Sequence, residues 1–194
     1  ENLGVIGAFK ILFNAAPGEI IAYSDDDVFY YPGWLPASLQ ILDTYPNSGM
    51  ISGAPVGFSS EHALESVDLF LTQHIGEVPW GEKPRNPAWE EDWARSTGRS
   101  TADHLQEIGK SPLLEISYRG VEAVKSAKHF QFVVPKDVVC QALEGEWTGS
   151  LMDGLVSLDE AVDRLGYLRL STPERFTRHI GNAISEAVAR EAES

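Results

Sequence analysis

Apolar residues recur at helical spacing from the start of the chain: Leu3, Ile6, Ala8, Phe9, Leu12, Phe13 and Ala16 form one broad stripe, with Asn2 placed to cap it and Pro17-Gly18 to end it. The period then changes. Residues 19–24 (EIIAYS) are a short apolar run of the kind expected for a strand buried in a parallel sheet, and the run stops at Asp25, Asp26 and Asp27. After the Pro32-Gly33 turn, Leu35, Leu39, Leu42 and Tyr45 predict a second helix and residues 50–52 a second strand; Leu64, Val67, Leu71 and Ile75 predict a third helix over 61–75. Helix and strand in alternation are the rhythm of an α/β fold.

From 77 to 99 the pattern lapses. Pro79, Pro84, Pro87 and Gly81 are mixed with Trp80, Trp89 and Trp93 and with several acids, which reads as a long excursion rather than framework. Residues 113–118 and 129–134 are then candidate strands, 136–143 a helix, and 167–170 a last strand. Ser157 with Glu160 spells a capping box and places a helix start at 157. Residues 183–194 read as a polar terminal helix. The pattern divides into a half at 1–60, an excursion at 77–128 and a terminal helix within 182–194, all in one domain spanning 1–194.

Charge narrows the partners. The 194 residues hold 29 acidic and 15 basic side chains, a net −14, so a nucleic acid is not expected as a partner. No apolar run is long enough for a membrane span, no leader opens the chain, and the single Cys140, in an apolar setting, suits a buried thiol in a reducing, cytoplasmic protein.

The chemistry concentrates in the three aspartates. Two unit charges about 4 Å apart repel by roughly 4 kcal/mol at an effective dielectric near 20, so a counter-charge is expected beside them. Ligands of open α/β sheets bind outside the carboxyl ends of strands, where this run falls. Alternation along an extended chain sends Asp25 and Asp27 to one side and Asp26 to the other, and paired carboxylate oxygens suit Mg²⁺ or Mn²⁺. An acidic, solvated turn is the competing reading.

The opening run through Gly33, ENLGVIGAFKILFNAAPGEIIAYSDDDVFYYPG, resembles the family 2 glycosyltransferases of the GT-A fold, in which an Asn-x-Gly helix leads through a Gly-Glu strand into an Asp-x-Asp motif and a Pro-Gly turn. The resemblance implies an α/β, three-layer GT-A-like sandwich with a mostly parallel sheet, and a nucleotide-diphospho-sugar donor whose sugar passes to a hydroxyl acceptor. It makes Asp25 and Asp27 the motif carboxylates, Asp27 on the metal and Asp25 toward the donor ribose and the metal's waters, with Asp26 between them. Near the C-terminus, GYLRLST and RHIGN resemble the family's later segments and imply His179 as a third metal ligand; a structural histidine is the alternative. Lys10 stands where many relatives have asparagine and is placed to reach a donor phosphate, or else lies solvated on its helix.

An inverting member needs a carboxylate that takes the acceptor proton. Asp153, in a Met-Asp-Gly loop, is favoured over Asp159, which also fits a helix N-terminus, and over Asp163, which fits a solvated helix face. Trp80 and Trp89 are the candidates for acceptor contact, although tryptophans also pin long loops, an ambiguity that Trp147 shares. Against the family's pattern, roughly 80 residues of strand-helix units are expected ahead of the first helix. The sheet edge that their absence would uncover favours self-association. Two other readings stay open: a non-catalytic carbohydrate- or partner-binding module on the same scaffold, and a metal-dependent nucleotidyltransferase.

Overall fold

In the computed structural model, which describes residues 3–55, 65–109, 111–144, 151–181 and 189–191 (151–154 by backbone alone), the opening stripe forms α1 (Gly4–Ala15). Its predicted cap Asn2 lies outside the described residues. Ile6, Phe9 and Phe13 are buried, whereas Leu3 and Leu12 of the predicted stripe are 55% and 60% exposed, because only the Ile6–Phe13 ridge faces the sheet. β1 (Ile20–Ser24), α2 (Trp34–Thr44) and β3 (Ser48–Ser52) follow close to expectation, and β2 (Val28–Tyr30), between β1 and α2, is a strand the pattern did not announce. α3 (Glu65–Gln73) ends before Ile75, which is 80% exposed instead of packed.

The 77–128 excursion holds more framework than its prolines imply. It contains β4 (Trp80–Lys83), α4 (Pro87–Ser96), α5 (Thr101–Ile108), β5 (Leu113–Tyr118) and β6 (Val121–Lys125). Arg119 and Gly120, at φ 51° and 79°, close the β5–β6 hairpin with the left-handed pair that such tight turns need. β7 (Gln131–Pro135), α6 (Lys136–Ala142), α7 (Leu151–Arg164), β8 (Leu168–Ser171) and β9 (Thr177–His179) complete the order. Ser157 sits inside α7, so the predicted capping box is not a helix start, and Asp153 is helical rather than in a loop. Of the predicted terminal helix, 182–188 and 192–194 lie outside the described residues.

Seven strands make one sheet in the order β1, β7, β3, β8, β6, β5, β4, and β2 pairs with β9 in a small second sheet. Only β3 and β8 run parallel, so the large sheet is mixed and mostly antiparallel, not mostly parallel. β1, expected as a buried strand of a parallel sheet, is instead an edge strand in which only Ile21 is buried, because its apolar run encodes neither strand direction nor cover on both faces.

Helices cover both faces, giving the expected three layers. Neighbours on β3 divide the core: Met50 joins the cluster under α1, α6 and α7, and Ile51 the cluster under α2 and α3. On β8, Leu168 and Leu170 face the second cluster. Arg169 between them turns the other way and meets Asp159 of α7 at 3.3 Å, with neither side chain more than 5% exposed. Cys140 is only partly buried against the first cluster.

Candidate functional site

The site begins with an aromatic anchor. Tyr23, one residue before the end of β1, packs against Phe9 of α1 and Phe132 of β7 with ring centroids 4.8 and 5.1 Å away, which fixes the strand end that carries the aspartates. The Tyr23 hydroxyl donates to Asp25 Oδ1 at 2.7 Å, and the Asp25 N–H donates to the Phe130 carbonyl at 2.8 Å. Burial, and then this bond to a carboxylate, hold the Tyr23 phenol above its ordinary pKa, so it stays a donor.

Past Asp26 the chain turns into β2. Val28 pairs with His179 across the two-stranded sheet, and the Ile180 N–H donates to the Asp27 carbonyl at 2.8 Å. This pairing brings His179 Nε2 to 3.1 Å from Asp27 Oδ2. The other imidazole nitrogen, Nδ1, lies 2.8 Å from Ser96 Oγ at the end of α4. That hydroxyl also lies 2.9 Å from the Trp93 carbonyl; when it donates there it accepts from Nδ1–H of the imidazole, which leaves Nε2 as the unprotonated nitrogen facing Asp27, the form a cation needs. Trp93 packs on the imidazole, ring centroids 5.1 Å apart.

Gly181 explains why Ser96 can stand there. It has φ +72°, and a Cβ on it would collide with the Ser96 carbonyl, so the β9 exit and the α4 terminus approach closely only with glycine at this position.

The residues fit a hard divalent cation. Asp27 Oδ1 is buried without a hydrogen-bond partner among the described residues, and an imidazole nitrogen faces the second oxygen of the same carboxylate. No set of three His, Cys, Asp or Glu side chains converges among the described residues. Of the predicted trio, Asp27 and His179 approach each other, whereas Asp25 accepts from Tyr23. One carboxylate and one imidazole leave positions for phosphate oxygens and water, the usual manner of Mg²⁺ and Mn²⁺ at nucleotide sites.

Beside this pair, α4, α5, β9 and residues 128–130 enclose a cavity of about 200 Å³ whose wall includes His179, Trp89 and Trp93. Trp89 lies under Arg175, with the guanidinium carbon 5.4 Å from its ring centroid. Trp80, in contrast, is 63% exposed on β4, the sheet edge opposite β1, and does not join the cavity. Lys10 is partly exposed on α1, one turn before Asn14, whose side chain bonds the Lys10 carbonyl.

Asp159 is 3% exposed and committed elsewhere, to His129 Nδ1 at 2.9 Å and to Arg169. Asp163 is not a solvated face either: it is buried and accepts from the Glu65 and Ser66 amides, capping α3. The side chain of Asp153, and Trp147, lie outside the described residues. Sequence reasoning missed Ser96, Gly181 and Lys128. Only Gly181, in the His-Ile-Gly run, carried a signal, a glycine two residues past the end of β9.

The chain belongs to glycosyl transferase family 2, whose model matches residues 1–99, the part that carries the aspartate run and Ser96. Its fold, an α/β sandwich with the aspartates at the end of the sheet's edge strand β1, is GT-A-like. Searches of curated proteins and of solved structures gave no significant match.

Proposed function

We propose that this chain is a metal-dependent glycosyltransferase that moves a sugar from a nucleotide-diphosphate donor to a hydroxyl acceptor. The observation that carries the reading is the approach of His179 Nε2 to Asp27 Oδ2, 3.1 Å apart, beside a carboxylate oxygen with no protein partner among the described residues. Asp27 and His179 would hold Mn²⁺ or Mg²⁺, which when bound supplies Lewis-acid stabilisation of the departing diphosphate.

The chain's own groups do the rest. Ser96 fixes the imidazole rotamer and tautomer, so Nε2 is presented without reorganisation. Asp25, held by Tyr23, is assigned to the donor ribose, Asp26 to the adjoining donor contact and Lys10 to a donor phosphate. Trp89 offers its face to the acceptor in the neighbouring cavity. If the anomeric configuration inverts, Asp153 is the assigned base. Asp159 is closed off from an acceptor hydroxyl by its burial and ion pairs.

The test is release of nucleoside diphosphate from a panel of nucleotide sugars, with Mn²⁺ and with chelator. Mn²⁺-dependent release that disappears in His179→Ala supports the reading; release at the same rate in chelator overturns it.

A further inference from the structure

The wall of the cavity beside His179 runs against the charge of the chain. Five of its side chains, Arg85, Arg99, Lys128, Arg175 and Arg178, are basic, and three, Glu90, Asp92 and Glu107, are acidic, in a chain whose net charge is −14.

Most of these charges are already paired. Arg85 meets Glu90 at 3.1 Å, and Arg175 and Arg178 meet Asp92 at 2.9 and 3.3 Å. Glu90 also takes His104 Nε2 at 2.9 Å. Two cations remain. Among the described residues neither Lys128 Nζ nor Arg99 has a carboxylate partner, and Glu107 is exposed at the cavity rim. Arg99 is exposed as well, and stands at the mouth.

Lys128 lies deeper. Its Nζ is 4.9 Å above the centre of the Trp93 ring, the same ring that packs on His179. The ammonium keeps some accessible surface because it faces the cavity, yet protein surrounds it on most sides, and this burial lowers its pKa below the ordinary lysine value. Glu90 and Asp159 act on this charge from a distance and no carboxylate among the described residues pairs with it directly, so enclosing it against the Trp93 face is costly, and an anion arriving from solvent offsets that cost.

We propose that the acceptor carries an anionic group, a phosphate or a carboxylate, and that Lys128 and Arg99 bind it in this cavity. The proposal rests on the transfer reading for the word acceptor; the anion site itself does not. Because Trp93 touches both Lys128 and His179, an anion on Lys128 would hold the rest of the acceptor beside the metal pair, with its hydroxyl turned toward the donor. Trp89 on the same wall is then a face for the acceptor's carbon frame.

Inorganic phosphate and acetate are the probes, titrated into the whole chain in chelator at constant ionic strength and followed by calorimetry or by the unfolding midpoint. The proposal expects saturable binding of one of the two, weakened about ten- to a hundredfold in Lys128→Met, weakened in Arg99→Gln, and restored toward wild type in Lys128→Arg. It also expects binding to persist in Asp27→Asn, which separates this site from a donor diphosphate held at the metal pair. Absence of binding by either anion, binding indifferent to Lys128→Met, or binding lost in Asp27→Asn would overturn it. Donor binding with Mn²⁺ is measured separately. If anions bind and no nucleotide does, the transfer reading falls and the anion site stands; if a nucleotide binds and no anion does, only the present proposal falls.

Discussion

The strand pairing that sets Val28 opposite His179 leaves His179 Nε2 3.1 Å from Asp27 Oδ2, so the backbone brings an imidazole and a carboxylate together. The backbone bond from the Ile180 N–H to the Asp27 carbonyl, 2.8 Å, locks this register. A carboxylate at the end of one sheet is thus held to an imidazole that arrives from the far end of the chain, and the geometry does not depend on a flexible loop.

Ser96→Ala removes the acceptor of the His179 Nδ1 proton without touching either metal-facing atom. Loss of such an outer hydrogen bond lowers metal affinity by about 10- to 100-fold. The expected result is a Mn²⁺ titration shifted by that factor with an unfolding midpoint close to wild type. An unchanged Mn²⁺ affinity would show that Ser96 does not position the imidazole.

Gly181→Ala is expected to act on stability and site together. A side chain at φ +72° costs about 1–2 kcal/mol, and the new Cβ meets the Ser96 carbonyl. Chemical denaturation should show at least that loss, with Mn²⁺ affinity falling as Ser96 is displaced. Wild-type stability would contradict the close approach of β9 and α4.

Asp159→Ala separates a structural carboxylate from a catalytic one. It removes the carboxylate that lies 3.3 Å from the buried Arg169 guanidinium and 2.9 Å from His129 Nδ1. Breaking a buried pair from one side costs about 3–5 kcal/mol, read as a lower urea midpoint at constant slope. Full stability with lost turnover would return Asp159 to the list of bases.

Tyr45 predicts a pH dependence. Its hydroxyl lies between the Val121 and Ile116 carbonyls at 2.8 and 3.1 Å, and burial raises its pKa above the ordinary phenol value. Above about pH 10 the unfolded chain has released this proton and the folded chain has not, so stability is full below that pH and falls as pH rises through it. The decline in urea midpoint between pH 9 and 11 should be shallower in Tyr45→Phe. An equal decline would remove Tyr45 as its source.

Local chemistry explains which parts of this molecule could be read from the sequence. The run 19–24 followed by three acids announces a strand end, and that reading stands in β1, with Asp27 brought to His179 just beyond it. The same run says nothing of direction, and its partner β7 proved antiparallel. α4 was legible and passed over among its tryptophans: Asn86 accepts from the Ala88 amide at 3.0 Å and Pro87 opens the helix, a familiar start signal. Ser157 and Glu160 gave the same kind of signal falsely, because the turn before them is already helical. Lys128 had no local mark at all. Its place over Trp93 comes from packing between β7's approach and α4, which no spacing rule encodes.

The most direct test of the central claim is calorimetric titration of the chain with nucleoside diphosphates, in Mn²⁺ and in chelator, comparing wild type with Asp27→Ala. The account predicts Mn²⁺-dependent binding of one nucleotide that is lost in Asp27→Ala while the variant unfolds as cooperatively as wild type. Binding of equal strength in chelator, or in Asp27→Ala, would contradict it.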